Sequence, residues 1–191
     1  MNARKIVLCG FFSGLMAIGA NVSPFLTIGG VPVTLQLMFA ILAGGILGSR
    51  LGALSMIAYI LLGLAGAPVF AQFKGGMAHI LSPTFGFVIS FVVVAYAVGK
   101  IFENKKAAEK LHIAGAGLLS IVLNYLIGTN FMYMALKIWA DAPDHFSYIT
   151  AWGWMLAYLP LDIAVTAVSL AVLLRLKKTL KTPYSSVTGA Q

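Results

Sequence analysis

One aspartate lies in an otherwise apolar stretch of the chain that is long enough to cross a membrane. Asp162 stands near the middle of residues 151–176, AWGWMLAYLPLDIAVTAVSLAVLLRL, two residues after Pro160. A carboxylate at membrane depth costs at least ~2.5 kcal/mol, so it normally faces a bundle interior, a water-filled cavity or a ligand. Pro160 lacks an N–H and frees a carbonyl one turn earlier, so we expect a broken helical turn beside the acid. The pair predicts a polar site at membrane depth.

The remaining acids, histidines and cysteine do not form a pattern typical of catalysis or metal binding. The acids outside the apolar runs are Glu103, Glu109, Asp141 and Asp144, and they offer no carboxylate pair for acid–base work. The three histidines are dispersed, and Cys9 is the only cysteine. No Walker A sequence is present, so ATP hydrolysis by that route is excluded. We therefore expect a protein that is not an enzyme and has no metal or cofactor.

The composition predicts an all-α integral membrane protein. Of the 191 residues, 60% are hydrophobic and only 9% are charged, which is far from the balance of a soluble domain. A helix needs roughly 20 apolar residues to span a bilayer. Six runs approach or exceed that length, at residues 6–22, 33–49, 51–70, 79–102, 111–139 and 151–176. We predict one bundle of six transmembrane helices over residues 1–181, followed by a disordered polar tail at 182–191.

The distribution of lysine and arginine predicts the orientation of the bundle. With six spans, eleven of the 13 basic residues fall on one side, and only Lys74 and Lys137 fall on the other. Cytoplasmic loops carry the excess of positive charge, so both termini should be cytoplasmic and the connections at 23–32, 71–78 and 140–150 should face outward. The formal net charge of +8 then reflects topology, because nucleic-acid binding would need a basic, water-facing surface.

Polar side chains converge on the outer half of this predicted bundle. Five accompany Asp162: Gln36 early in the second span, Gln72 and Lys74 just beyond the third, and Asn124 and Tyr125 within the fifth. Each alone is commonly a hydrogen bond between helices. Together they favour a ligand cavity that opens outward. Residues available as its apolar walls are Phe70, Phe73, Trp154 and Tyr158.

Several blocks of the sequence resemble one family of membrane proteins. The blocks are GVPVTLQ at 30–36, LAGGILGSRLGA at 42–53, LLGLAGAPVF at 61–70, SPTFGF at 82–87, NYLIGT at 124–129 and LPLD at 159–162. They are similar to blocks of the BioY family, the biotin-specific substrate-binding subunits of energy-coupling-factor (ECF) transporters. The resemblance covers nearly the whole chain apart from its two ends.

This resemblance implies a six-helix substrate-binding (S) component in the plasma membrane of a prokaryote. It implies a biotin pocket that faces outward beneath the loop between the first two helices, and partners comprising a membrane coupling subunit and two cytosolic ATPases. Asp162 would accept hydrogen bonds from the ureido N–H groups of biotin, and Gln72 and Asn124 would serve the ureido carbonyl. Lys74 would lie either at the valerate carboxylate or in solvent.

One departure from the family pattern concerns the acid itself. The pattern places a lysine three residues after the aspartate, and this chain has Val165 there. Asp162 therefore lacks a cation on its own helix. We expect it to be protonated when the site is empty, or to be satisfied by ligand and backbone.

Small residues on the first helix predict a face for a partner. Gly10 and Gly14 are four residues apart, as are Ser13 and Ala17. Such spacing lets helices approach closely in lipid. The resemblance implies that the face docks the coupling subunit, and the alternatives are packing inside the bundle or dimerisation.

The sequence expectation is high-affinity biotin binding and uptake driven by partner ATPases, with two other functions left open. An S component for a different small vitamin would have the same architecture, because fold is a poor guide to ligand. A stand-alone facilitator for a small solute would need polar side chains through both halves of the bundle. The inner half has almost none.

Overall fold

The computed structural model describes residues 2–22, 27–28, 31–103 and 110–180, and six α-helices make up most of them. The helices are α1 (Ala3–Asn21), α2 (Gln36–Leu47), α3 (Ser49–Leu64), α4 (Phe85–Glu103), α5 (Lys110–Ile138) and α6 (Tyr148–Leu180). Within the described residues, four helices (α1, α4, α5 and α6) are long and apolar enough to cross a membrane, and α2 and α3 are shorter apolar helices. The predicted all-α, multi-pass membrane protein is confirmed, whereas the six-span count and the location of the termini remain predictions.

The connection between α1 and α2 contains a short antiparallel pair of strands, β1 (Thr27–Ile28) and β2 (Val31–Pro32). The backbone of Leu35 then donates a hydrogen bond to the carbonyl of Gly19 at 2.9 Å, which ties the start of α2 to the end of α1. The predicted disordered tail at 182–191 lies outside the described residues.

The third and fourth predicted spans are shorter than their apolar runs. α3 ends at Leu64 instead of residue 70, and Gly66 takes a φ of 107° that a helix cannot accommodate. α4 begins at Phe85 instead of residue 79, just after Pro83, which disfavours helical geometry in the residue before it. Between them lie two short 3₁₀ turns, Ala71–Phe73 and Met77–Leu81. The connection between α3 and α4 is therefore longer than expected.

The break predicted at Pro160 is wrong. α6 continues through this residue from Tyr148 to Leu180. Proline fixes φ near the helical value and removes only one N–H, so a helix packed among others can continue past it.

The end of the bundle opposite the α3–α4 connection is held together where α2 and α3 meet α4. Gly48, at a φ of 86°, forms the tight turn expected between α2 and α3. Glu103 on α4 accepts hydrogen bonds from the backbone N–H and the hydroxyl of Ser49, at 2.9 and 2.6 Å, and so satisfies the first turn of α3. Gly99 faces this turn so closely that a Cβ there would lie 2.3 Å from the nitrogen of Ser49. α4 can pass the hairpin at this distance only because residue 99 has no side chain.

The core is built around α4, which packs against α2, α3 and α5, while α6 packs against α2 and α5. Fully buried side chains from several helices fill it, including Met16, Ile41, Met56, Val94 and Leu173. α1 packs on α2 and α3, away from α5 and α6. This arrangement leaves a space between α2, α4, α5 and α6 toward the end at which α3 connects to α4.

Candidate ligand-binding site

The space between α2, α4, α5 and α6 is a cavity with apolar walls and a few polar groups. It contains about 720 Å³ of empty space, including its opening to solvent. The apolar lining comes mainly from Val33, Leu37, Phe87, Val88, Phe91, Met155 and Leu161. The polar lining comes from Thr34, Gln36, His79, Thr84, Asn124, Tyr125, Tyr158 and Asp162. Such a lining is typical of a site for a small molecule with both apolar and polar parts.

Asp162 forms a hydrogen bond with a residue of a neighbouring helix. The hydroxyl of Tyr125 on α5 donates a hydrogen bond to Oδ2 of Asp162 on α6 at 2.7 Å. Asp162 is half-buried, while Tyr125 and the neighbouring Val165 are buried. The contact uses one carboxylate oxygen, and a carboxylate has about four acceptor positions. Asp162 can therefore accept further hydrogen bonds from a ligand while Tyr125 holds it.

Asn124 is held by a buried serine on α4. Oγ of Ser90 lies 2.7 Å from Oδ1 of Asn124 and 2.7 Å from the carbonyl oxygen of Phe87. A hydroxyl has one hydrogen, so it can donate to only one of these acceptors at a time. When the hydroxyl donates to Phe87, the amide of Asn124 can turn so that its NH₂ group donates to Oγ of Ser90. In the structure Oδ1 of Asn124 faces the Ser90 hydroxyl, so this contact orients the amide.

Gln36 belongs to a short chain of hydrogen bonds behind the cavity wall. Its Nε2 donates to the hydroxyl of Tyr59 at 2.9 Å, and that hydroxyl donates to the carbonyl of Val69 at 3.0 Å. Gln36 and Tyr59 are both buried. These two hydrogen bonds link α2 to α3 and to the connection that follows α3.

The sequence matches the BioY family over residues 1–182. The chain belongs to the BioY family. It is 43% identical over 171 residues to the putative biotin transporter BioYB of Bacillus subtilis, covering 88% of this chain and 84% of that protein. It is 36% identical over 125 residues to the biotin transporter BioY of Thermotoga maritima, covering 65% of this chain and 72% of that protein. The resemblance to the family that the sequence suggested is confirmed.

The fold is also similar to that of a solved protein described as the S-component for biotin from an ECF-type ABC transporter. The TM-score is 0.70 and the sequence identity 24%, over 93% of this chain and 95% of that one. At this identity the likeness supports the fold alone. The BioY relatives are named as transporters, which agrees with the expectation that the chain is not an enzyme.

Of the eight predicted ligand-binding residues, the cavity brings five together. Those five are Gln36, Asn124, Tyr125, Tyr158 and Asp162. Their roles toward a ligand remain predictions for this BioY member.

The other three predicted residues, all in the connection between α3 and α4, do not line the cavity. Phe70 is fully buried, with its ring over Gly63, and Lys74 is exposed. Gln72 has a φ of 62°, a left-handed conformation that gives its side chain a direction unlike that of a helical residue. The suggested wall residues Phe73 and Trp154 do not line the cavity either.

Sequence reasoning missed three polar lining residues, Thr34, Thr84 and His79, of which only His79 is titratable near neutral pH. We counted His79 as the first residue of the fourth span, but it lies in the 3₁₀ turn Met77–Leu81. The preceding glycines, Gly75 and Gly76, are a turn signal that could have placed it in the connection. Burial, and secondarily the charge of Lys74, lowers the pKa of His79 below its ordinary value.

The small residues of α1 divide between two faces. Gly10 and Gly14 are exposed, and a Cβ at either would have no atom within 4 Å. Ala17 is half-buried. Ser13 points into the bundle, where its hydroxyl lies 2.9 Å from the carbonyl of Cys9 and 2.8 Å from that of Ser55. The surface available to a partner is therefore the glycine part of the predicted face, which we call the α1 glycine face (Gly10 and Gly14).

Proposed function

We propose that this chain is the biotin-binding S component of an ECF-type transporter. The observation that carries the proposal is the pairing of Asp162 with Tyr125, beside Asn124, in a cavity with apolar walls, in a chain that belongs to the BioY family. The relative at 43% identity is named a putative biotin transporter, and the relative at 36% identity is named a biotin transporter. The remaining acceptor positions of Asp162 suit a ligand that presents N–H donors.

Biotin has the chemistry that such a cavity requires. Its ureido group carries two N–H donors and one carbonyl acceptor, and its ring sulfur and valerate chain are largely apolar. Asp162 would accept from the ureido N–H groups, and hydrogen bonds to a charged acceptor are about twice as strong as neutral ones. The amide of Asn124 would serve the ureido carbonyl. Phe87, Phe91 and Met155 would cover the apolar part.

Transport requires energy and partners that lie outside this chain. The sequence contains no Walker A motif, so the proposal includes a membrane coupling subunit and two cytosolic ATPases. The α1 glycine face is the proposed docking surface for the coupling subunit, because its open backbone would let a second helix approach closely.

The proposed topology has six spans, with both termini in the cytoplasm of a prokaryotic cell and the cavity open to the outside. Its main support is the separation of eleven basic residues from Lys74 and Lys137. α2 and α3 have only 12 and 16 residues, so they would cross with the help of the flanking connections. A cysteine placed at 145 should react with an impermeant thiol reagent in intact cells, and one placed at 50 should not. The reverse labelling would refute this orientation.

Equilibrium binding of radiolabelled biotin to the purified chain tests the proposed ligand. We expect saturable binding at one site per chain and a higher melting temperature with biotin, because a ligand that binds only the folded state stabilises it. Stabilisation by another vitamin but not by biotin would identify an S component of different specificity. Biotin uptake by proteoliposomes that contain this chain alone would indicate a stand-alone facilitator.

A further inference from the structure

The cavity that contains Asp162 is also lined by a histidine that comes from the connection between α3 and α4. The ring of His79 stacks on Phe70, with centroids 4.4 Å apart and planes 15° apart, and meets the edge of Phe85 at 6.1 Å. Phe70 is itself fully buried and packs edge-on against Tyr59 at 5.5 Å. Aromatic packing therefore holds the imidazole in place at the cavity wall. Among the described residues, neither nitrogen of this ring has a hydrogen-bond partner, so both are available to a ligand.

Charged and titratable groups are unevenly distributed around the cavity. Those that face His79 or share its cavity are Lys74 in the same connection, Tyr125 on α5, and Tyr158 and Asp162 on α6. Tyr59 on α3 packs against Phe70, and the contact of His79 from α4 is the uncharged Phe85. Lys74 is the nearby cation, and among the described residues Asp162 is the only acid that lines the cavity. An anionic group would be repelled near Asp162 and attracted by the charge of Lys74 on the side where His79 lies.

We propose that His79 binds the carboxylate of the ligand and takes up a proton as it does so. The inference rests on the proposed function and names a residue that determines ligand orientation and specificity at the same site. A ligand with N–H donors at one end and a carboxylate at the other would then bind in one direction, with the donors at Asp162 and the acid at His79. Lys74 adds favourable charge without touching the cavity wall.

The expected dependence on pH follows from the two states of the imidazole. In the free protein, burial and the charge of Lys74 keep the pKa of His79 below its ordinary value, so the ring is mostly neutral at pH 7. A bound carboxylate favours the charged ring and raises its pKa. Affinity should rise as the pH falls from the bound-state pKa to the free-state pKa, and should be constant outside that window. An aliphatic carboxylic acid, with a pKa of about 4 to 5, stays ionised above pH 6.

Titration calorimetry on the full chain measures this proton directly. Biotin is titrated at pH 7 in two buffers of different ionisation enthalpy, and the difference in heat gives the number of protons taken up. We expect the binding of biotin to be accompanied by the uptake of a measurable fraction of one proton per chain. We expect none with biotin amide, in which a neutral amide replaces the carboxylate.

Two variants identify the histidine. His79→Gln should abolish the proton uptake and weaken biotin binding about 10-fold, as expected when a charge-assisted hydrogen bond is lost. It should leave the affinity for biotin amide unchanged. His145→Asn is the matched control, because His145 is exposed at a φ of 59° that asparagine tolerates. The control should retain the wild-type uptake and affinity.

The possible outcomes separate this inference from the proposed function. Equal proton uptake with biotin and biotin amide would overturn the role of His79, as would uptake that persists in His79→Gln. If His79→Gln does not fold, His79→Phe keeps the stack on Phe70 and the same comparison applies. Failure of wild-type protein to bind biotin at all would instead refute the proposed function.

Discussion

The substitution Asp162→Asn tests the central contact of the proposed site. Asparagine has the same shape, and its amide oxygen can still accept the hydroxyl of Tyr125, which lies 2.7 Å from Oδ2. The helix pair α5–α6 should therefore keep its contact and the fold should persist. What is lost is the negative charge and one of the two oxygens that could accept from a ligand.

The expected loss can be estimated from the strength of hydrogen bonds to charged groups. Such bonds contribute about 1.5–3 kcal/mol, against about 1 kcal/mol for a neutral bond. Replacing a charged acceptor by an amide that presents its NH₂ group to the ligand should cost about 1.5–3 kcal/mol, which is roughly a 10- to 150-fold increase in Kd for biotin. The melting temperature without ligand should change little, because half-buried Asp162 retains its partner.

Radiolabelled-biotin binding and a thermal-unfolding curve without ligand are measured on the same preparation. The matched control is Asp144→Asn, the same chemical change at an exposed acid in the connection between α5 and α6. It should leave Kd unchanged. A folded Asp162→Asn protein that binds biotin within about twofold of wild type would refute the role that we give to this carboxylate.

Three further predictions concern the support of the site, the partner face and the scaffold. Ser90→Ala removes the hydroxyl that orients Asn124. Biotin should then bind about 5-fold more weakly, since one neutral hydrogen bond contributes about 1 kcal/mol. Unchanged binding would mean that Asn124 keeps its orientation without Ser90. Gly14→Leu should abolish co-purification with the coupling subunit and spare biotin binding, whereas loss of both would indicate misfolding. Gly99→Ala should lower the melting temperature by several degrees, because its Cβ would lie 2.3 Å from a backbone nitrogen. Gly115→Ala is the control and should not lower it, since no atom lies within 4 Å of that Cβ. Equal melting temperatures of the two variants would contradict the close approach of α4 and α3.

The part of the site on the helices could be predicted from the sequence because few arrangements are open to a polar residue inside a span. Asn124, Tyr125 and Asp162 must face the bundle interior, since the alternative is lipid. Their positions within two predicted spans were enough to bring them together. The sequence could not show that Tyr125 is the partner of Asp162, because the rotation of α5 relative to α6 is set by packing between them.

The backbone path of the connection between α3 and α4 could not be predicted, although Gly75 and Gly76 signal a turn there. Gln72 and Phe73 both have left-handed backbone conformations, at φ values of 62° and 55°. Neither residue type favours this conformation, so no local signal indicated that the chain reverses at these two residues. Gln72 does not line the cavity, whereas the chain beyond the reversal brings His79 to its wall. Side-chain direction in such a segment depends on contacts distant in sequence.

One of these contacts links the cavity mouth to the helix that carries the proposed docking face. Oδ1 of Asn21, the last residue of α1, accepts a hydrogen bond from the backbone N–H of Phe73 at 2.7 Å. Its Nδ2 lies 3.0 Å from the carbonyl of Ala17 on the same helix. The same Nδ2 also donates to the carbonyl of Val69 at 3.4 Å, so Asn21 anchors the strained turn of the connection to α1. Directional hydrogen bonds of this side chain therefore join the helix that bears the α1 glycine face to the connection that bears His79.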